Sequence, residues 1–431
     1  MAPGLAHDRV PAPEGGTAPL RVAMLTYRGH PHTGGQGVYV QELSAALADR
    51  GHRVDVLSGP PYPDLDSRVQ LVRLPSLELY RPDDPFRPHR RPSGATDLLE
   101  WSAMSAGVYP EPLTFSLRAL RWIAGGRYRY DVVHDNQVLG YGLLPVSRRV
   151  PVVATVHHAI TIDRRIVLES MDDPKAKSGM RRWFGFVRMQ QQVARRLPRL
   201  IVPTEAGRRD VARELGLHAA RLEVVHNGVD PDRFRRIRSR TRVPGRILSV
   251  CSADVPLKAL GVLMDAVAKL RAERPDVSLV SVCRPSPSTL ESVRRLGLDQ
   301  AVTFEPGVSA RRLLELYSEA EVLAVPSLYE GFCLPAVEAM SCGLPVVATD
   351  AGAMPEVVGD AGVLVAAGDS SALASGLGRV LASEALRRKL RSAGRKRVLD
   401  RFTWTETARN TEAVYLDVIA GQRPPSAASR R

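Results

Sequence analysis

The sequence has few cysteines and no long apolar run, and each absence excludes a class of protein. The apolar runs are short and interrupted by charge, so we expect no transmembrane helix. The N-terminus lacks a basic start followed by an apolar core, so we expect no secretory signal and a cytoplasmic protein. The cysteines show no CxxC or His-paired spacing, which argues against zinc and for reduced thiols. These cysteines are Cys251, Cys283, Cys333 and Cys342.

Length and charge set further bounds on the protein. A chain of 431 residues is too long for one ordinary core, so two domains are expected, and an apolar content of 44% fits a globular protein. The net charge of +14 is carried almost wholly by arginine. This excess favours an anionic partner such as a sugar nucleotide or an acidic membrane surface, and nucleic acid less so. A compositional preference for arginine on solvated surfaces explains part of it.

Residues 325–349 carry the most specific pattern in the chain. An apolar run ends in a loop bearing Glu330, a helix begins with Pro335 in its first turn, and Glu338 follows eight residues after Glu330. Gly343 is expected to end the helix before the next strand. The helix N-terminus therefore faces the carboxyl end of a parallel sheet, where α/β proteins bind anionic ligands. Two hydroxyl-binding carboxylates beside an anion site fit a sugar nucleotide.

Glu330 and Glu338, with Gly-Phe-x-Leu-Pro between them, resemble the E-x7-E motif of retaining family 4 glycosyltransferases, which have the GT-B fold. The resemblance implies that Glu330 contacts the donor hexose and that Glu338 contacts the nucleotide ribose. The intervening residues are expected to line the donor site, partly through free backbone N–H groups. They are Gly331, Phe332, Cys333 and Leu334. Cys333 departs from the family, which usually has glycine there, and places a small side chain near the donor sugar.

The first half of the chain adds two further elements of the resemblance. Residues 1–19, rich in proline, glycine and alanine, are predicted to be a disordered leader. A strand at residues 20–26 leads into a loop with Gly34 and Gly35, which resembles the family loop that meets the donor phosphate and the acceptor; a plain tight turn is the alternative. A later strand ends in His157, at the position of the family histidine that reaches the donor sugar. We expect His157 to donate a hydrogen bond or hold positive charge; a purely structural histidine is the alternative.

Two segments of the first half are predicted to face the acceptor or a membrane. Residues 60–112 are rich in proline and lack periodicity, so we predict an inserted excursion on the acceptor side. Residues 181–188 place arginines beside aromatic side chains at the start of a helix expected to continue to Leu197. This pattern suits an interfacial helix, so we predict peripheral contact with an anionic membrane surface. An ordinary helix of an enzyme with a soluble acceptor is the alternative.

The second half begins after an Asn-Gly-Val-Asp sequence at residues 227–230, which resembles the family's crossover between domains. Lys258 matches the family lysine that clamps the donor diphosphate, but the arginine expected five residues earlier is replaced by Ala253. This departure leaves the clamp incomplete, because one preorganised donor is typically worth about 3 kcal/mol in the transition state. Arg284 or a helix N-terminus is a candidate replacement.

The predicted fold is therefore α/β with the GT-B architecture, two Rossmann-like domains separated by a cleft. We place an acceptor domain at residues 20–228, a nucleotide-sugar domain at 229–401, and a C-terminal helix at 402–420 that crosses back to the first domain. The loop around Gly307 lies where the family holds the nucleotide base through backbone groups. Backbone recognition leaves little trace in sequence, so the nucleotide is not identified.

The predicted function is transfer of a hexose from a nucleotide sugar to a hydroxyl acceptor, with retention at the anomeric carbon. His157, Lys258 and Glu330 are the expected catalytic residues. No metal ion or other cofactor is expected, because lysine and helix dipoles stabilise the leaving diphosphate. Two alternatives stay open: a sugar-nucleotide epimerase of the same architecture, and a non-catalytic basic protein that binds polyanions. The sequence leaves open the sugar, the acceptor, the linkage and the oligomeric state.

Overall fold

The computed structural model describes residues 18–29, 35–80, 86–126 and 129–422. Within these ranges, seven parallel strands form a first sheet, in the order β3-β2-β1-β4-β5-β6-β7. The strands are β1 (Arg21–Thr26), β2 (Arg53–Ser58), β3 (Gln70–Arg73), β4 (Val132–Asn136), β5 (Val152–Thr155), β6 (Arg199–Val202) and β7 (Leu222–Val224). The central strands are buried on both faces, which explains their continuous runs of valine and leucine.

Helices follow most of these strands and cover both faces of the sheet. They are α1 (Gly35–Asp49), α2 (Ala95–Ser105), α3 (Glu111–Ala124), α4 (Leu143–Ser147), α5 (Ile160–Glu169), α6 (Pro174–Trp183), α7 (Phe186–Ala194) and α8 (Glu205–Leu215). A 3₁₀ turn at Ala219–Arg221 precedes β7.

A second parallel sheet occupies the other half of the described chain, in the order β10-β9-β8-β11-β12-β13. Its strands are β8 (Arg246–Val250), β9 (Ser278–Val282), β10 (Val302–Phe304), β11 (Val322–Val325), β12 (Val346–Thr349) and β13 (Val363–Val365). Its helices are α9 (Leu260–Glu273), α10 (Pro287–Arg295), α11 (Ala310–Glu319), α12 (Leu334–Ser341), α13 (Met354–Val357), α14 (Ser370–Ala382) and α15 (Glu384–Arg401). Short 3₁₀ turns lie at Pro256–Lys258 and Gly359–Ala361. The two Rossmann-like domains predicted from the sequence are confirmed.

The last helix, α16 (Trp404–Gln422), returns to the first domain as predicted. Its Tyr415 hydroxyl lies 2.5 Å from His134 Nδ1 in β4, and Thr407 donates to the His226 carbonyl oxygen at 2.8 Å. The crossing is tight at Gly228, where a Cβ atom would overlap the backbone nitrogen of Trp404. Glycine is therefore required where the two chain segments between the domains pass each other. The first sheet ends at β7 and the second begins at β8, close to the predicted boundary between the domains. The limits given for the two domains stay predictions.

Several elements differ from the sequence expectations. Residues 60–112 contain β3 and α2 rather than an excursion without regular structure. The helix predicted from residue 181 to Leu197 is two helices, because the chain breaks at residues 184–185 between α6 and α7. Helix α10 was not predicted; Ser286 caps it through a 3.2 Å bond from the Thr289 N–H. Residues 1–17 of the predicted leader and 423–431 lie outside the described residues.

Candidate active site

The carboxyl ends of the two sheets face each other, and the residues predicted to bind the donor lie where they meet. Gly331, in the loop before α12, touches the turn after β5: a Cβ atom there would collide with the His157 carbonyl oxygen. Thr204, at the N-terminus of α8, donates to the Gly331 carbonyl oxygen at 3.1 Å. The Tyr329 hydroxyl donates to Asp210 on α8 at 3.0 Å. The structure therefore brings the first domain directly against the Glu330 loop.

Glu330 is held by the lysine that was predicted separately. Lys258, at the end of a 3₁₀ turn, lies 2.7 Å from Glu330 Oε1, and Ser327 donates to the same oxygen at 2.7 Å. Both members of the pair are largely buried, with 20% and 12% of the side chains exposed. Burial alone lowers the pKa of Lys258, but the Glu330 carboxylate more than offsets this, so the pKa lies above its usual value. The pair is therefore a fixed charge couple at the cleft.

Glu338 has a different environment on α12. Its Oε2 accepts a 2.7 Å hydrogen bond from the hydroxyl of Tyr317, a fully buried residue of α11. Burial raises the pKa of Glu338 to about 7, and the Tyr317 hydrogen bond opposes part of this rise. Glu338 therefore exchanges its proton near neutral pH, and its second oxygen remains able to accept a hydrogen bond from a ligand hydroxyl.

Helix α12 follows the Glu330 loop and carries Glu338, and it begins with a strained residue close to the first domain. Cys333 caps α12 in the left-handed region, at φ 74°, a conformation that favours glycine and asparagine over other residues. This strain fits the position where the family usually has glycine. Leu334, the first residue of α12, lies 3.9 Å from the position of a Cβ atom on Gly35 of the first domain. Phe332 is buried, and its ring stands edge-on to that of Phe402, with 5.6 Å between the ring centroids.

His157 lies at the carboxyl end of the first sheet, and its environment favours the neutral imidazole. Its Nε2 lies 2.6 Å from Asn136 Oδ1, its backbone N–H donates to Gln137 Oε1 at 2.7 Å, and the Tyr39 ring stands edge-on at 4.7 Å. Burial, together with the neighbouring His158, lowers the pKa of His157 to about 3. Because Asn136 Oδ1 only accepts, Nε2 carries the proton and Nδ1 is left as an acceptor. This environment disfavours the positive charge that was one of its two expected roles.

His158, the residue after His157, also lies at the cleft, where a Cβ atom on Gly331 would approach its Cβ. Its Nε2 lies 2.8 Å from Asp163 Oδ2 on α5. Burial alone lowers the pKa of His158, but Asp163 and Glu330 outweigh it, and the pKa is raised overall. An acid in the first turn of the following helix, five residues after the histidine, is the sequence signal that could have identified this pair.

The other predicted positions are placed as follows. Gly34 lies outside the described residues, whereas Gly35 begins α1 at the cleft. Gly307 is exposed at φ 66°, with open space around it. The loop of Arg284 meets the loop of Ala253, because the Ser286 N–H donates to Asp254 Oδ2 at 2.7 Å, and Arg284 is exposed.

Part of the predicted membrane segment, the Trp183 side chain, packs against other residues of the first domain. The Trp183 ring packs against Tyr80 at 5.4 Å and Tyr109 at 5.1 Å. Arg28 ties this cluster to the end of β1 through a two-oxygen contact with Glu111 at 2.5 and 2.7 Å. In the part of the chain that the structure describes, no helix is long and apolar enough to cross a membrane. Across the same residues, no cluster of three or more His, Cys, Asp or Glu side chains could hold a metal ion.

Two facing Rossmann-like domains, a returning C-terminal helix and an acid pair around a helix N-terminus define a GT-B glycosyltransferase. Sucrose-phosphate synthase from Thermosynechococcus elongatus shares this fold, with a TM-score of 0.73 and 23% identity over 94% of this chain and all of that one. HepE from Anabaena, solved with UDP and glucose, has a TM-score of 0.67 at 19% identity, covering 92% of this chain and all of that one.

Family models and relatives then identify the family. Residues 33–233 match the model "Glycosyltransferase Family 4", and residues 244–383 match "Glycosyl transferases group 1". The MMP alpha-(1->4)-mannosyltransferase of Mycolicibacterium hassiacum is 46% identical over 409 residues, covering 93% of this chain and 99% of its own. A D-inositol 3-phosphate glycosyltransferase of Streptomyces bingchenggensis is 29% identical, covering 95% and 91%. The chain belongs to glycosyltransferase family 4, and it is a glycosyltransferase.

Proposed function

We propose that this enzyme transfers an α-mannosyl residue from a nucleotide-activated mannose to a hydroxyl group of its acceptor, with retention at the anomeric carbon. The observation that carries the choice of sugar is the 46% identity to a mannosyltransferase over nearly the whole of both chains. By the same analogy, the acceptor hydroxyl is the 4-hydroxyl of a sugar and the product an α-(1→4) linkage. The meeting of Glu330, Lys258 and the turn after β5 supports a transferase site at that place.

Each predicted residue has a role that its contacts allow. Lys258 binds the diphosphate, and Glu330, released from part of that contact, accepts hydrogen bonds from the mannose hydroxyls. Glu338 accepts from the ribose hydroxyls. The N–H groups of residues 332–334 at the start of α12 bind phosphate oxygens. His157 accepts a hydroxyl hydrogen at Nδ1 and orients the sugar.

The reaction proceeds on one face of the sugar. The bond from the anomeric carbon to the diphosphate oxygen breaks, and the acceptor oxygen forms its new bond from the same side. The acceptor proton passes to the departing diphosphate oxygen, so no protein nucleophile is needed. Lys258 and the positive end of α12 stabilise the developing negative charge, and no step in this scheme requires a metal ion. Closure of the two domains excludes water, which would otherwise hydrolyse the donor.

Calorimetry with a panel of nucleotide sugars tests this proposal. We expect binding of one mannose donor among GDP-, UDP-, ADP- and dTDP-mannose, and weaker binding by Glu330→Ala. Glu291→Ala removes an exposed carboxylate from α10 and is the matched control. Transfer to 4-hydroxyl mannosides is then followed by mass spectrometry and NMR. Binding without transfer to any acceptor, or conversion of the donor to an epimer when no acceptor is present, would contradict the proposal.

Peripheral membrane contact remains a separate proposal. The exposed side chains of Arg181, Arg182 and Arg188 support it, whereas the inward packing of Trp183 leaves less aromatic surface for a bilayer. Co-sedimentation with anionic vesicles at moderate salt tests it, and an absence of bound protein would remove it.

A further inference from the structure

His158 belongs to the first domain and lies on the side of the cleft where Lys258 is proposed to bind the diphosphate. A Cβ atom on Gly331 of the second domain would lie 3.1 Å from the His158 Cβ. The Gln137 side chain donates to the His158 carbonyl oxygen at 2.8 Å and fixes this turn. Helix α5, which begins two residues after His158, packs against the 3₁₀ turn that carries Lys258, and Lys258 and Glu330 both affect the pKa of the His158 ring. The imidazole therefore lies beside the group that binds the leaving diphosphate.

The charges already present at this place leave the diphosphate incompletely matched. A sugar-linked diphosphate carries two negative charges, and a further charge develops as the sugar bond breaks. The single cation of Lys258 is offset by Glu330 at 2.7 Å, and Ala253 adds none. Electrostatic stabilisation of a leaving group in a buried site requires fixed positive charge or oriented donors. The N–H groups at the start of α12 supply oriented donors, and another cation close to Lys258 would balance the remaining charge.

We propose that the His158 imidazolium, held by Asp163, binds the donor diphosphate as a second cation supplied by the first domain when the cleft closes. This inference rests on the proposed function. Asp163 Oδ2 accepts from one ring nitrogen at 2.8 Å, which leaves the other N–H free to donate to a phosphate oxygen. Because the cation comes from the opposite domain, donor binding and closure are coupled.

The two adjacent histidines thus have different tasks. His157 is bound by the Asn136 amide and remains neutral, whereas His158 is bound by a carboxylate and favours the protonated form. The charged or titratable groups that face His158 are Asp163 on α5, Lys258 after β8, Glu330 in the loop before α12, and His157. The raised pKa of His158 means that its charge is present at low pH and is lost as pH rises through that pKa. Donor affinity should therefore be higher at low pH and fall as pH rises.

Calorimetric titration of GDP-mannose and UDP-mannose between pH 6 and 8.5, without acceptor, tests this inference. In these probes the diphosphate is linked at both ends, so it lacks the terminal phosphate whose second pKa near 6 would interfere. We expect wild-type affinity to fall about tenfold over this range, the effect of one charge-assisted hydrogen bond. His158→Gln should bind about tenfold more weakly at pH 6 and lose this fall. Glu338 titrates in both proteins, so the difference between them isolates His158.

Asp163→Asn is the decisive second variant. It should move the fall in affinity to lower pH, because the carboxylate that favours the imidazolium is gone and burial then lowers the pKa of His158. A merely structural histidine predicts no such displacement. Thermal unfolding confirms that each variant is folded.

Unchanged affinity and slope in His158→Gln would overturn the inference while leaving the proposed function intact. A loss confined to Arg284→Ala would do the same and assign the second cation to Arg284. Failure of the wild-type protein to bind either probe at any pH would contradict the proposed donor, and the inference would fall with it.

Discussion

Glu330 and Glu338 lie eight residues apart in one loop and helix, yet their environments are opposite. Glu330 contacts a cation, Lys258, and lies where the two domains meet. Glu338 contacts a neutral hydroxyl of its own domain, that of Tyr317. A buried carboxylate with a neutral partner resists ionisation, whereas Glu330 forms an ion pair. The same residue type is thus half of a charge couple at one position and bonded to a neutral hydroxyl at the other.

The comparison separates the chemistry of the site from its recognition of the nucleotide. Groups that lie at the interface, such as Lys258 and Glu330, complete the site only when the domains are together, and therefore bear on turnover. The contact between Glu338 and Tyr317 exists before closure and bears on affinity. Substitutions at the two acids and their partners should divide along this line.

Lys258→Met should have the largest effect. It removes the cation that stabilises the leaving diphosphate and leaves Glu330 charged without its partner. We expect turnover to fall by about 100- to 1,000-fold, the usual consequence of removing one preorganised group at a developing charge. Steady-state kinetics with saturating donor measure this. Lys269→Met, on the surface of α9, is the control, and a loss below tenfold in Lys258→Met would contradict the role.

The same Glu→Gln substitution should have opposite effects on stability at the two positions. Glu338 has a raised pKa of about 7, so the folded state holds a proton that the unfolded state loses near 4.5, and stability falls as pH rises between these values. Glu338→Gln removes this cost and should stabilise the protein by up to about 3 kcal/mol at pH 8, but by only about 1 kcal/mol at pH 5. Glu330→Gln should instead destabilise it by about 1–2 kcal/mol, because buried Lys258 loses its partner.

Denaturant unfolding at the two pH values measures both variants. Effects of the same sign, or a Glu338→Gln gain that does not depend on pH, would show that the two carboxylates are not in contrasting environments.

Gly331→Ala should affect only the interface side of the comparison. The added methyl group would collide with the His157 carbonyl oxygen, so the domains cannot approach fully. We expect turnover to fall by about tenfold or more, as for other displaced near-attack geometries, while affinity for free GDP or UDP changes little. Gly261→Ala, in α9 with open space around it, is the matched control. An equal loss of nucleotide affinity would place Gly331 in nucleotide binding instead.

Sequence reasoning was most accurate in the second domain. The alternation of strands and helices in that domain was predictable, because valine and leucine runs alternate with clear glycine and proline stops. The region of α2 was missed because its pattern is inverted. Asp97 and Glu100 are buried and bound by arginines, whereas Leu98 and Trp101 are exposed. Hydrophobic periodicity cannot indicate a helix that buries its charges.

The same limit applies to the site. Glu330 and Glu338 were found because their spacing is local, and Lys258 because a short motif surrounds it. Their pairing was not predictable, since Lys258 and Glu330 lie 72 residues apart and meet only through the parallel order of β8 and β11. The pair of His158 and Asp163 was not predicted, because Asp163 lies on the next helix. Chemistry that depends on contacts between elements becomes visible only in the folded chain.

Tyr317→Phe should give the smallest effect and the finest test of the Glu338 environment. The Tyr317 hydroxyl donates to Glu338 at 2.7 Å and lowers the pKa of that carboxyl relative to burial alone. Without this bond the pKa of Glu338 should rise further above 7, by less than about one unit. The stability difference between Glu338→Gln and its parent stops growing at the folded-state pKa of Glu338, and this pH should move upward when the comparison is repeated in a Tyr317→Phe background. Tyr415→Phe removes an equally buried hydroxyl that contacts His134 instead, and should leave that pH unchanged. If this pH stays constant or moves downward in the Tyr317→Phe background, the Tyr317 hydroxyl does not contribute to the pKa of Glu338.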